Sequence, residues 1–278
     1  MIGTLIAQDF RATRKSIFAV VGIALLVVVI SLTLTVLRVP VIGGIGLVVG
    51  IVAAAALSVI LLGLLVEYYW RTMYGREGYF TMTVPVRGRV LFLAKVLYGL
   101  VVALVGAALS AAGLVGAAVA FALSQGLEPF DFLRTGLGMV EPWVAWFAAA
   151  ALLLQIVYLV VVGAGIMSIG AQGRYNHLSF GAPLLGAVIV YLVMQVVTFA
   201  AIMVIPVGII MVGPDAGTIV PRGMMAEFIA AIGGDAPAAA GGGQSQVLGL
   251  GFVFTSAALI ALMAWWGVRA VERHTSLR

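Results

Sequence analysis

The sequence predicts an all-α membrane protein: six transmembrane helices, an N-terminal interfacial helix and both termini in the cytoplasm. Three observations lead there. First, 64% of the residues are hydrophobic and only 9% are charged, far below the ~25% charged of soluble domains. Second, six apolar stretches, 17–37, 43–66, 90–123, 143–171, 180–211 and 247–271, each reach the ~20 residues a helix needs to cross a bilayer. Third, the loop charge is sorted by side. With the N-terminus inside, twelve of the fifteen lysines and arginines and four of the ten acids fall on the inner side. The outer side holds Arg38, Arg134 and Arg222 with six acids. A lysine and arginine bias of this kind sets orientation.

Each element follows in order. In residues 1–16, Ile2, Leu5, Ile6 and Phe10 recur at helical spacing. Gln8, Asp9, Arg11, Arg14 and Lys15 lie opposite, which predicts an amphipathic helix in the interface ahead of the first span. The apolar run that follows exceeds a signal-peptide core and ends in no small-residue cleavage site, so it is expected to stay as a span. Arg38-Val39-Pro40 makes a tight outer turn in which Pro40 ends the first helix. The second span carries Gly46-xxx-Gly50 and then Ala53–Ala56. Small residues allow close helix approach in lipid, within one subunit or between two.

Residues 67–89 form the long inner loop, with six aromatic residues and three glycines. Tyr68, Tyr69 and Trp70 suit the interfacial aromatic belt. Tyr79 and Phe80 do not, because they follow Arg76-Glu77-Gly78 and precede Pro85; an aromatic pair rimmed by charge predicts a protein contact surface. Ser124–Pro142 is an acidic outer loop, and 172–177 a short inner turn. Pro206 kinks or ends the fifth helix. In the long outer segment 212–246, Pro221–Ile232 predicts a short amphipathic helix, and Gly233–Gly243 is a linker. Arg269, Glu272, Arg273 and Arg278 close the chain inside.

Several chemistries are excluded. The positive charge is spread over loop ends facing anionic lipid heads, which argues against nucleic acid as a partner. The chain has no cysteine, and His177 and His274 are far apart, so no metal site is expected. There is no G-x-x-x-x-G-K-[ST] phosphate cradle, so the chain does not hydrolyse ATP itself. Ser168 has no histidine in any span to activate it and is a packing residue. No carboxylate pair lies within a span. Ion-coupled pumps keep ionisable groups at depth, whereas the deepest polar side chains here are residues such as Ser58, Gln155, Gln195 and Thr198. Ser58, Gln195 and Thr198 are candidates for lining a substrate path; an interhelical hydrogen bond is the plainer role for such groups. An ion-coupled secondary transporter or channel with no ATPase partner is the alternative class.

Gly78-Tyr79-Phe80-Thr81-Met82-Thr83-Val84-Pro85-Val86, followed by Arg87, Arg89, Leu91 and Lys95-Val96-Leu97, resembles the GYLT-x-TLPV … LL-x-KLL stretch of bacterial ABC-2-type transporter permeases, the type V exporter-like membrane subunits. Phe80 and Val84 stand where that family often has leucine. The resemblance implies a non-catalytic permease subunit of an ATP-driven exporter in the bacterial inner membrane. ATP and magnesium would be bound by two copies of a separate ATP-binding subunit, with no cofactor in this chain. A second permease, identical or a sister chain, would complete the assembly alongside membrane lipids. Residues around Tyr74–Thr83 would be the coupling helix, making Tyr74, Arg76, Glu77, Gly78, Tyr79, Phe80, Thr81 and Pro85 the contact set. Residues 1–16 would be the elbow helix and Pro221–Ile232 the outer re-entrant helix, and spans one, two and five would line the path. The apolar interior favours a hydrophobic or amphipathic cargo: a drug, peptide or lipid.

Overall fold

The computed structural model describes residues 2–39, 41–75, 77–83, 85–173, 175, 179–211, 215–225, 229 and 247–273, without the Met82 side chain. Among the described residues, six helices are long and apolar enough to cross a membrane: α1 (Ile2–Val36), α2 (Ile42–Met73), α4 (Gly88–Gln125), α6 (Pro142–Gly170), α7 (Gly181–Val204) and α8 (Gly251–Arg273). Two shorter helices, α3 (Gly78–Thr83) and α5 (Pro129–Gly138), stand between them. The chain divides into two compact units, Met1–Glu141 with Val268–Arg278, and Pro142–Gly267.

In the first unit, α1, α2 and α4 pack against one another. Small residues make the approach possible. A Cβ on Gly46 would lie 2.6 Å from the Ser31 carbonyl oxygen, and one on Gly50 2.8 Å from Leu32. The Gly46-xxx-Gly50 pair therefore seats α2 on α1 inside the chain. Ala54 fills the equivalent role against α4, where a Cβ on Gly113 would stand 2.7 Å from its methyl. Polar side chains close the same seams. Thr35 Oγ1 donates to the Gly43 carbonyl at 3.0 Å, and Ser58 and Ser110 share a 2.7 Å hydrogen bond. Arg38 Nη2 donates to the Leu123 carbonyl at 2.8 Å, tying the α1–α2 turn to the end of α4. That turn is strained, since Arg38 and Val41 both have positive φ and Val41 is β-branched. Pro40, expected to end α1, lies outside the described residues. Gly126 caps α4 in the left-handed region at φ 76°.

In the second unit, α6, α7 and α8 carry the apolar cluster of Val162, Leu259 and Met263. A Cβ on Gly165 would meet the Met263 carbonyl at 2.9 Å, and one on Gly170 the Pro183 ring nitrogen at 2.7 Å. Beyond α7, β1 (Gly208–Ile210), β2 (Ile219–Val220) and β3 (Val247–Gly249) form an antiparallel sheet in the order β2-β1-β3.

Several boundaries differ from the expected ones. Residues 2–16 are not a separate element, because α1 runs unbroken for 35 residues. Nothing in 14–20 breaks a helix, there being no proline or glycine. At 1.5 Å per residue α1 is ~52 Å long, well beyond a ~30 Å hydrocarbon core. The second helix continues through Met73, so only 74–87 remain of the loop expected over 67–89, with α3 inside it. The fifth span ends at Val204, two residues before Pro206, and residues 208–210 become strand. The sixth helix starts at Gly251, residues 247–249 being β3. The segment 124–142, expected as an acidic outer loop, contains the helix α5. Of Pro221–Ile232, Met224, Met225 and Ile229 are helical and most of the rest lies outside the described residues, as do Gly233–Gly243, Arg174, Asn176 and His177.

Candidate functional site

The last two turns of α2 set up the site. In Glu67-Tyr68-Tyr69-Trp70-Arg71-Thr72-Met73, helical spacing buries Tyr68, Tyr69, Thr72 and Met73 and leaves Glu67 and Arg71 exposed. The exposed face carries an ion-pair chain. Arg71 bonds Glu67 at 3.0 Å one turn back and Glu77 at 3.3 Å across the following turn. All three are solvated, so the chain orients the turn more than it stabilises it.

The buried face holds the principal feature of the molecule. Lys95 Nζ lies 2.7 Å from Asp9 Oδ1, and both side chains are more than nine-tenths buried. Tyr68 Oη donates to the same carboxylate oxygen at 2.7 Å, and Lys95 also donates to Thr72 Oγ1 at 3.1 Å. The ammonium stands 4.6 Å from the Tyr68 ring centroid, within cation–π range. Thr13 donates to the Asp9 carbonyl at 2.9 Å and hydrogen-bonds the Tyr98 hydroxyl. Taking two charges out of water costs several kcal/mol per ion, and only a pair with its remaining donors and acceptors filled offsets that cost. Here Asp9 comes from α1, Tyr68 and Thr72 from α2, and Lys95 and Tyr98 from α4. The network is a polar joint between α1, α2 and α4.

A cleft of about 210 Å³ opens beside this joint, lined among others by Gln8, Asp9, Lys95, Glu77, Phe80 and Thr81. The last two belong to α3. This six-residue helix begins where Gly78 N–H bonds the Gly75 carbonyl at 2.9 Å, and it closes where Thr83 Oγ1 bonds the Phe80 carbonyl at 2.8 Å. Gly78 is buried and Thr81 half-buried. Tyr79 is 50% exposed and Phe80 78%. Pro85 is exposed in the bend before α4.

Of the contact set named from the sequence, Glu77, Gly78, Tyr79, Phe80 and Thr81 come together on and beside α3. Tyr74 does not join them. It closes the end of α2, its ring 5.6 Å from Trp70 and 6.2 Å from Tyr69. Arg76 and Val84 lie outside the described residues. Tyr68 and Tyr69 are buried, and the Tyr68 hydroxyl is bonded to the Asp9 carboxylate.

The three path candidates fall in two different units. Ser58 belongs to the first unit and bonds Ser110. Gln195 and Thr198 belong to the second. Gln195 Nε2 donates to Tyr191 Oη at 2.9 Å on an exposed face of α7, and Thr198 lies 3.3 Å from Thr255 of α8. Ser168 is buried and donates to the Ala164 carbonyl one turn back at 2.8 Å.

The Asp9–Lys95 pair itself is absent from the sequence reading. The two residues are 86 positions apart, and a search for ionisable groups in mid-span passes over groups near helix ends. The usable signals were an acid facing its own amphipathic helix's first turns and a lysine inside the motif segment. Comparison with protein-family models, with curated proteins and with solved structures finds no match for this chain.

Proposed function

We propose that this chain is the membrane-spanning permease subunit of an ATP-driven transporter, with nucleotide hydrolysis carried out by a separate ATP-binding subunit. One observation carries the reading: α3 presents Tyr79 and Phe80 outward, while Phe80 also borders the cleft beside the Asp9–Lys95 joint. Exposed aromatic side chains on a short helix suit a groove on a protein partner. A partner that grips α3 and moves acts first on the residues beside it, and through the joint on α1, α2 and α4 together. The Glu67–Arg71–Glu77 chain holds the turn that leads into α3. Two ATPase copies and two permeases, identical or sister chains, form the working complex. The apolar faces of the spans support a hydrophobic or amphipathic cargo, a drug, peptide or lipid, and the resemblance to exporters supports outward movement across a bacterial inner membrane.

Purification through this chain from native membranes is expected to bring down an ATPase. Tyr79→Ala is expected to lower the ATPase activity of that complex several-fold while membrane insertion is kept. Glu77→Lys does the same by reversing the charge that Arg71 holds. Wild-type activity in both variants removes α3 from the docking role.

A second reading, an ion-coupled transporter or channel, draws support from the same buried pair, because ionisable groups inside a membrane bundle often mark an ion path. Transport by the isolated chain in liposomes, driven by an ion gradient without ATP, would establish it in place of the first.

A further inference from the structure

At the opposite end of α4 from α3 stands a helix whose apolar side is half-buried at Leu133 and open at Phe130 and Leu137. Helix α5, Pro129–Gly138, follows α4 after three residues and precedes α6 by three. Its inner side rests on α4 through Phe132, whose ring lies 6.0 Å from that of Phe121. At 100° per residue, Phe130, Leu133 and Leu137 fall on one arc, with Arg134 at its edge. Glu128, Asp131 and Thr135 fall on another. Phe130 is 88% exposed, Leu137 72%, and Met139 just beyond 79%. No residue of α5 is buried.

We infer that α5 is a membrane-surface anchor, with Phe130, Leu133 and Leu137 seated at the boundary between headgroups and acyl chains of the same bilayer that α4 crosses. Two features select lipid over a protein occupant. The first is continuity. Leu123 at the end of α4 and Leu127 in the connection are exposed, so exposed apolar side chains continue from the membrane-spanning helix to Phe130. The second is the charge layout. Glu128 and Asp131 turn away from the arc toward water, and Arg134 at its edge can bury its stem and reach a lipid phosphate. A helix with one apolar and one charged side, tethered at both ends to spans only three residues away, lies in the plane of the interface. The device holds the outer end of α4, where Arg38 already ties down the Leu123 carbonyl. This inference does not depend on the proposed transport activity.

The chain has no cysteine, so single-cysteine labelling is free of background. Spin labels are placed at Phe130→Cys, Leu137→Cys, Asp131→Cys and Thr135→Cys in the full chain, reconstituted in phosphatidylethanolamine–phosphatidylglycerol vesicles. Collision rates with oxygen and with a water-soluble nickel chelate are then compared. Oxygen contact should exceed nickel contact at positions 130 and 137, with the order reversed at 131 and 135. All four positions open to nickel would overturn the anchor. Labels at 130 and 137 shielded from both reagents would also overturn it, since a second copy or another protein then covers the arc. All four substitutions are on exposed positions, so loss of the fold is not the expected outcome at any of them.

Discussion

Lys95 illustrates how much a single side chain can decide in a membrane bundle. Its ammonium is satisfied by Asp9, by Thr72 and by the face of Tyr68. Removing it leaves the Asp9 carboxylate buried against the Tyr68 hydroxyl without its counterion, and truncating one member of such a pair typically costs about 3–5 kcal/mol. Lys95→Met is therefore expected to lower the unfolding temperature of the detergent-solubilised chain markedly. Asp9→Asn combined with Lys95→Met should recover part of the loss, because no charge is then stranded. Lys15→Met, at an exposed position of α1, is the control. Equal effects from Lys95→Met and Lys15→Met would show that the pair contributes no structure.

Among the elements, the α1–α2 hairpin depends on close backbone approach. The obstacle a Cβ at Gly46 would meet is a main-chain oxygen, which cannot rotate aside. Gly46→Ala is expected to push the two helices apart and cost ~1–3 kcal/mol, as overpacking does. Gly63 lies on the same helix with nothing within 4 Å of an added Cβ, so Gly63→Ala should be neutral. Melting curves of the two variants test the contrast, and similar behaviour in both would mean that the seam does not depend on Gly46. The same hairpin shows what was legible. Gly46 and Gly50 stand out as a packing pair in the sequence, yet only the structure shows that the partner is α1 of the same chain. Pro206 likewise marks a helix end, but the strand that follows at 208–210 needs β3, some forty residues later, to pair with it.

For the molecule as a whole, the charge asymmetry of the loops predicts a direction. Residues 14 and 135 are exposed and fall on opposite sides in that scheme. Arg14→Cys and Thr135→Cys, treated in intact cells with a membrane-impermeant maleimide, should differ. Thr135→Cys should label at once, and Arg14→Cys only after the membrane is opened. The reverse pattern would invert the topology and place α3 on the outside, where no nucleotide-driven partner could reach it. Division into two compact units adds a further point at this scale. Ser58 has its polar partner in one unit, and Gln195 and Thr198 have theirs in the other. Ser58 and Thr198 thus pair with a neighbouring helix and Gln195 with its own.

Six membrane-length helices, their approximate limits and the distinctness of the Gly78–Thr83 segment were determined by the sequence itself. Apolar length and glycine or proline breaks act locally, within one or two turns. The union of Asp9 with Tyr68, Thr72 and Lys95 and the sheet beyond α7 were decided only by tertiary structure. Each of these depends on which segments come to lie side by side. A buried charge finds its counterion, and a strand its neighbour, by proximity in space that no local pattern of residues encodes.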